Sequence, residues 1–172
     1  MKPVDTVVAA KLVSSADKSS TFQGLAEALG ISTSEAHEAS NRLVKAGLFK
    51  MQERRVPSPI KRALLEFWVH GLKYVYPAET GAPTRGLPTS VGAPPLAEHF
   101  SVEAGTVPVW PSAEGNVRGP ALLPIHKSAV KAASDPRVYE LLVLLDALRE
   151  GRVREHQMAE TLLKERLYGW AG

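Results

Sequence analysis

The chain has 172 residues, of which 44% are hydrophobic, and its formal net charge is +3. This length suits one domain, or one small domain with an appendage, that buries an adequate core. Because the sequence contains no cysteine, disulfides, thiol nucleophiles and cysteine-bound metal ions are excluded.

The N-terminal segment predicts a helix rather than a targeting signal. Pro3 and Asp5 precede a helical pattern, which comprises Val7, Val8, Leu12 and Val13. The start, MKPVDTVVAAKLVSS, lacks the basic leader and apolar run of a signal peptide, and no later stretch is long enough to cross a bilayer. We therefore expect a cytoplasmic protein without membrane contact.

Residues 21 to 49, TFQGLAEALGISTSEAHEASNRLVKAGLF, predict two short helices that are joined at a glycine. Thr21 is a good N-cap for the first helix, and Gly30 can adopt the left-handed conformation that ends it. Ser32, with Glu35 three positions later, forms a capping box that begins the second helix near Thr33. This layout is typical of a helix-turn-helix.

The second helix, residues 33 to 46, predicts a narrow inner face and a polar outer face. The inner residues are Ala36, Ala39, Leu43 and Val44, and the outer residues are Thr33, Ser34, His37, Glu38, Asn41, Arg42 and Lys45. The outer side chains carry the hydrogen-bonding groups that address base edges and phosphates in a DNA groove. The alternative is an ordinary solvated helix face.

Positive charge is concentrated directly after this helix. Residues 42 to 62 contain seven basic residues and one acid, which gives +6, whereas residues 1 to 41 carry −2 and residues 63 to 172 carry −1. The basic residues are Arg42, Lys45, Lys50, Arg54, Arg55, Lys61 and Arg62. Such a local basic stretch favours contact with a phosphate backbone.

The segment from Leu48 to Gln52 predicts one arm of a β-hairpin, with Arg54 and Arg55 near its tip. Together, residues 4 to 56 resemble the winged helix-turn-helix domain of bacterial transcriptional regulators, and GISTSEAHEASNRLVKAGL is similar to the corresponding segment of MarR-like repressors. The resemblance implies a homodimer. We expect His37, Asn41 and Arg42 to lie nearest the bases. Thr33 is also expected to contact DNA. We expect phosphate contacts from Ser34, Lys45, Lys50, Arg54 and Arg55.

A further helix is expected to complete a first segment, residues 1 to 73. Ser58 and Pro59 predict its start. One face carries Ile60, Ala63, Leu64, Phe67, Trp68 and Leu72, which is typical of core.

The second predicted segment, residues 74 to 125, is extended. Nine of the thirteen prolines and six of the thirteen glycines lie between residues 77 and 124, so long helices are not expected there. Residues 74 to 76 and 107 to 110 predict short strands. One role for such an extended segment is to bind along the surface of a partner protein.

The third predicted segment, residues 126 to 172, is a helical pair. Ser134, Asp135 and Pro136 predict the start of a helix that ends at Gly151, and a second helix begins near Val153. Their leucine stripes are expected to be covered by a second copy or by a partner protein. Asp146 is expected to be solvent-exposed.

No residue pattern indicates an enzyme. The five histidines have no metal-ligand spacing, and neither a phosphate-binding glycine loop nor a nucleophile elbow is present, so we expect no cofactor and no metal. The predicted fold is mainly α with a small β-wing, a winged helix-turn-helix followed by a Pro-rich extension and a C-terminal helical pair.

The predicted function is sequence-specific binding of double-stranded DNA by a dimeric transcriptional regulator, a repressor. The alternative is an antitoxin-like companion that binds a partner protein through the Pro-rich segment and the C-terminal helices. A third hypothesis adds an effector pocket near Phe67, Trp68 and Tyr74.

Overall fold

The computed structural model describes residues 1–15, 21–53 and 55–170, which form a mixed α/β fold. The helices are α1 (Pro3–Ser14), α2 (Phe22–Leu29), α3 (Thr33–Lys45), α4 (Lys61–His70), α5 (Leu72–Val75), α6 (Ser128–Ala132), α7 (Pro136–Glu150) and α8 (Val153–Gly169). The strands are β1 (Phe49–Gln52), β2 (Arg55–Pro59), β3 (Thr80–Pro88), β4 (Val109–Pro111) and β5 (Val117–Leu122). Helix dominates, as expected, and a small hairpin follows α3.

Helix α1 lies at the centre of the molecule and is buried on most sides. It packs against α2, α3, α6, α7 and β2. Its buried residues include Val7 and Val8, but also Asp5 and Thr6. The predicted helix is therefore confirmed, although it begins at Pro3 and includes Asp5 in its first turn.

The predicted N-cap residues of α2 and α3 are confirmed, but the predicted capping box is only half formed, because the Glu35 side chain accepts no hydrogen bond from the Ser32 N–H. Thr21 Oγ1 accepts a hydrogen bond from the Gly24 N–H at 3.0 Å, and Ser32 Oγ accepts one from the Glu35 N–H at 3.1 Å. Gly30 has φ +65°, the left-handed conformation that favours glycine at the end of a helix. Local side-chain chemistry thus sets the turn between α2 and α3.

Strands β1 and β2 form the predicted antiparallel hairpin. Phe49 pairs with Pro59, Lys50 pairs with Ser58, and Gln52 pairs with Arg55. Phe49 and Pro57 are buried, and the other residues of β1 and β2 are half-buried or exposed. The predicted helix start at Ser58 and Pro59 is wrong, because both residues lie in β2 and α4 begins at Lys61.

The Pro-rich segment contains more strand than was predicted. Strand β3 pairs antiparallel with both β4 and β5, and β4 meets β5 in parallel where Val109 faces Ala121, which closes a small barrel. The strand predicted at residues 107 to 110 is confirmed in part as β4. The strand predicted at residues 74 to 76 is wrong, because residues 72 to 75 form helix α5. Gly86 permits the close approach of β3 and β4, since a β-carbon there would lie 1.9 Å from the Trp110 carbonyl oxygen.

Helices α7 and α8 match the predicted C-terminal pair closely. Every residue from Leu141 to Leu148 is buried, and α7 is covered by α1, α4, α5, α6, α8 and the turn at residues 90 to 92. The leucine stripes were expected to pack against a second copy or a partner protein, but they pack against other elements of the same chain. One continuous core draws side chains from all three predicted segments.

No helix in the described ranges is long and apolar enough to cross a membrane.

Candidate nucleic-acid interface

The outer face of α3 is exposed along its whole length. Thr33, Ser34, His37, Asn41 and Lys45 are all exposed, as the sequence predicts. The inner side is fixed by close packing, and its buried residues are Ala36, Ala39, Ser40 and Leu43. Ser40 was not predicted there; its hydroxyl donates to the Ala36 carbonyl at 2.8 Å, which satisfies the group inside the core.

The middle of this face is partly ordered by contacts between its own side chains. The His37 ring meets the ring of Phe22 edge-on, with centroids 5.0 Å apart. Asn41 Nδ2 lies 3.3 Å from His37 Nδ1, so a neutral ring nitrogen can accept from the amide. Two neighbouring polar groups are thus presented from a rigid helix rather than from a loop.

Arg42 departs from its predicted role. Its Nε lies 3.1 and 2.9 Å from the two carboxylate oxygens of Asp5, and its Nη2 donates to Oδ1 at 2.7 Å. Hydrogen bonding to the buried Asp5 raises the pKa of Arg42. The expectation of an outward Arg42 near the bases is corrected: its guanidinium joins α3 to α1 and fixes the position of the helix.

Asp5 is the residue that the sequence did not reveal at this site. Its carboxylate is fully buried, and it also accepts a hydrogen bond from the Lys2 backbone N–H at 2.8 Å. Glu38, exposed on α3, lies 3.7 Å from Arg42 Nη1. No local pattern connects residues 5 and 42, so only the packing of α1 on α3 brings this pair together.

Exposed cations lie at the C-terminal end of α3 and on the hairpin. Lys45, Lys50 and Arg55 are exposed, and none of them forms an ion pair with an acidic residue that the structure describes. The fourth predicted cation, Arg54, lies outside the described residues. The hairpin follows α3 after only three residues, and both of its strands contact that helix.

A lysine of α6 lies beside the turn that precedes α3. The Lys131 side chain lies over the turn at Gly30, where a β-carbon would be 2.7 Å from Lys131 Cδ and 3.4 Å from Nζ. Lys127 lies four residues earlier, beside the N-terminus of α6, and both lysines are exposed. No local sequence pattern indicates this position, because the packing of α6 on α1 and α2 brings Lys131 to the turn.

The three residues near which an effector pocket was expected differ in exposure, and Phe67 is half-buried. Trp68 is buried in the core, and Tyr74 is exposed. A depression of about 240 Å³ lies nearby, between Pro3, Tyr76 and Leu123. The Tyr76 hydroxyl is buried without a hydrogen-bond partner among the described residues, and burial raises its pKa.

The geometry thus combines a rigid, exposed, mainly polar helix face with unpaired cations near its ends. Hydroxyl, imidazole and amide groups on such a face can hydrogen-bond base edges, and the cations can neutralise phosphates. Comparison of the chain with protein-family models, curated proteins and solved structures gives no match.

Proposed function

We propose that the chain is a winged-helix protein that binds double-stranded DNA, with α3 in the major groove and the β1–β2 hairpin against the backbone. It acts as a dimeric transcriptional regulator in this proposal, and binding at an operator represses transcription. The observation that carries the proposal is the exposed outer face of α3, followed directly by a hairpin with exposed cations.

The order of elements supports this assignment. Helix α1 supports the α2–turn–α3 unit from behind, and the hairpin follows α3 without an intervening element. In helix-turn-helix proteins the second helix enters the major groove, where each base pair presents a distinct set of donors and acceptors. Helix α3 is the second helix of this unit.

The proposed roles follow from side-chain chemistry. Thr33, His37 and Asn41 contact base edges through hydroxyl, imidazole and amide groups. Phosphate contacts come from Ser34, Lys45, Lys50 and Arg55. Arg42 supports α3 through Asp5 rather than contacting a base.

Binding to a partner protein is the weaker proposal. It was based on an extended Pro-rich segment and on leucine stripes that need a cover. In the fold, the stripes of α7 and α8 are buried in the chain's own core, and Leu96 and Trp110 of the Pro-rich segment join them there. No apolar helix stripe of that pair is left for a partner.

The salt dependence of DNA binding tests the proposal. In the variant Lys50→Gln/Arg55→Gln, two phosphate contacts are lost, and the slope of log K against log salt should fall by about 1.8 because each contact contributes roughly 0.9. The slope is measured by fluorescence anisotropy of a labelled duplex of arbitrary sequence over a series of KCl concentrations.

The matched control is Arg154→Gln/Lys164→Gln, which removes two exposed cations from α8. This control should keep the slope of the unmodified chain. Equal slopes for all three proteins would remove the hairpin from the interface, and a chain that binds no duplex even at low salt would refute the proposed function.

A further inference from the structure

Two lysines of α6 lie at the end of α3 that is far from the hairpin. Lys127 is the N-cap residue of α6, and Lys131 lies four residues later within its single turn. The two side chains therefore share one side of that helix. The aliphatic part of Lys131 packs over Gly30, two residues before the N-cap of α3. Neither lysine pairs with an acidic side chain in the part of the chain that the structure describes.

We propose that Lys127 and Lys131 bind the DNA backbone on the side of the major groove opposite to the hairpin. This inference rests on the proposed function, and it adds a region of the chain that lies far from the helix-turn-helix in sequence. The ligand is the phosphodiester backbone of double-stranded DNA. The interface is then built from α3, the hairpin and α6.

The spacing of the charges fits a duplex. Helix α3 has thirteen residues, so it is about 20 Å long. Cations therefore lie at both ends of a rod that exceeds the width of the major groove, about 12 Å, which a phosphate backbone borders on each side.

The distribution of charge along the rod fits as well. The middle of the exposed face carries His37, Glu38 and Asn41, with Glu38 beside the Arg42 guanidinium. Polar groups in the middle and cations at both ends match bases on the groove floor and phosphates at its two edges.

The acidic groups near α6 leave its lysines available. Glu35 is half-buried in the first turn of α3; burial lowers the pKa of His126, the neighbour of Lys127, and the Glu35 charge opposes that shift. Exposed Glu27 accepts a hydrogen bond from Gln23 Nε2 at 3.1 Å. Neither carboxylate lies within 4.0 Å of the Lys127 or Lys131 ammonium group.

The test compares salt slopes in a set of charge variants. Lys127→Gln/Lys131→Gln should lower the slope by about 1.8, as the hairpin variant does, and the variant with all four substitutions should lower it by about 3.6. Glutamine keeps most of the stem that packs over Gly30. Lys131→Arg, combined with Lys127→Arg, keeps both charges and should preserve the slope.

The outcomes separate this inference from the proposed function. If the chain binds duplex DNA with a normal hairpin effect but the α6 variant keeps the original slope, α6 is not part of the interface. A loss of affinity with an unchanged slope, accompanied by a lower urea midpoint, would give Lys131 a purely structural role and would also overturn the inference. If the unmodified chain binds no duplex, both proposals fail.

Discussion

Asp146 of α7 is a buried carboxylate with three side-chain hydrogen-bond donors around it. Its Oδ2 accepts from Thr89 Oγ1 at 2.7 Å and from Trp110 Nε1 at 2.6 Å, and its Oδ1 accepts from Arg149 Nη1 at 2.8 Å. Burial raises the pKa of Asp146, and the Arg149 charge opposes that shift. The prediction of an exposed Asp146 is wrong because every residue of α7 from Leu141 to Leu148 is buried.

We predict that Asp146→Ala destabilises the fold by about 3 to 5 kcal/mol, because it leaves the buried Arg149 guanidinium without its carboxylate partner. Asp146→Asn keeps an acceptor oxygen and should cost less. Urea unfolding, followed by far-UV circular dichroism, measures both values. A loss below about 1 kcal/mol for the alanine variant would show that the network does not stabilise the fold.

Local sequence chemistry determines where α2, α3 and α7 begin and where α2 ends, although the local signal at Ser58 and Pro59 did not start α4. Thr21, Gly30 and Ser32 were predicted correctly because each acts within four residues of its own position. Partners from distant elements were not predictable in this way. Asp135 shows both cases: its Oδ1 caps α7 by accepting from the Arg137 N–H at 3.0 Å, whereas its Oδ2 accepts from Lys11 Nζ of α1 at 2.6 Å.

The junction of α1 and α7 should depend on pH. Partial burial alone would raise the pKa of Asp135, but the Lys11 ammonium and the backbone N–H donors outweigh it, so the folded pKa lies below the ordinary 3.8. The carboxylate therefore stabilises the fold above pH 3.8, and this contribution is lost as the pH falls through the lowered value.

Asp135→Asn keeps the cap and removes the charge. We expect its melting temperature to lie slightly below that of the unmodified chain at pH 7, since a partly exposed ion pair contributes up to about 1 kcal/mol. The difference should shrink below about pH 4. Asp135→Ala, which also removes the cap, should cost about 1 kcal/mol more at pH 7. A difference between the asparagine variant and the unmodified chain that grows on acidification would contradict the assignment.

A single hydrophobic core includes side chains from all three segments into which the composition divides the chain. The prolines and glycines of residues 77 to 124 suggested a loop that is separate from the helical parts. Trp110 and Leu96 instead enter the common core, and β3 to β5 close on one another. Composition predicted the scarcity of helix correctly, but long-range strand pairing and the burial of isolated apolar residues leave no periodic pattern in a sequence.

The same distinction applies to the candidate interface. The exposed face of α3 was predictable from helical periodicity, and the hairpin was predictable from alternation. The engagement of Arg42 by Asp5 and the approach of Lys131 to Gly30 were not, because both depend on how α1 and α6 pack against α2 and α3. Compared with the interface proposed from the sequence, the interface proposed from the structure lacks Arg42 and includes Lys127 and Lys131.

DNA binding through α3 and the hairpin is tested by a titration of the ¹⁵N-labelled chain with duplex DNA at low salt, followed by amide chemical shifts. We predict that the largest changes occur at the exposed positions of α3 and at Lys50 and Arg55, with smaller changes at Lys127 and Lys131. The exposed residues of α8, such as Val153 and Lys164, should not shift. Changes confined to α8, or no change in the presence of excess duplex, would contradict the proposed DNA interface.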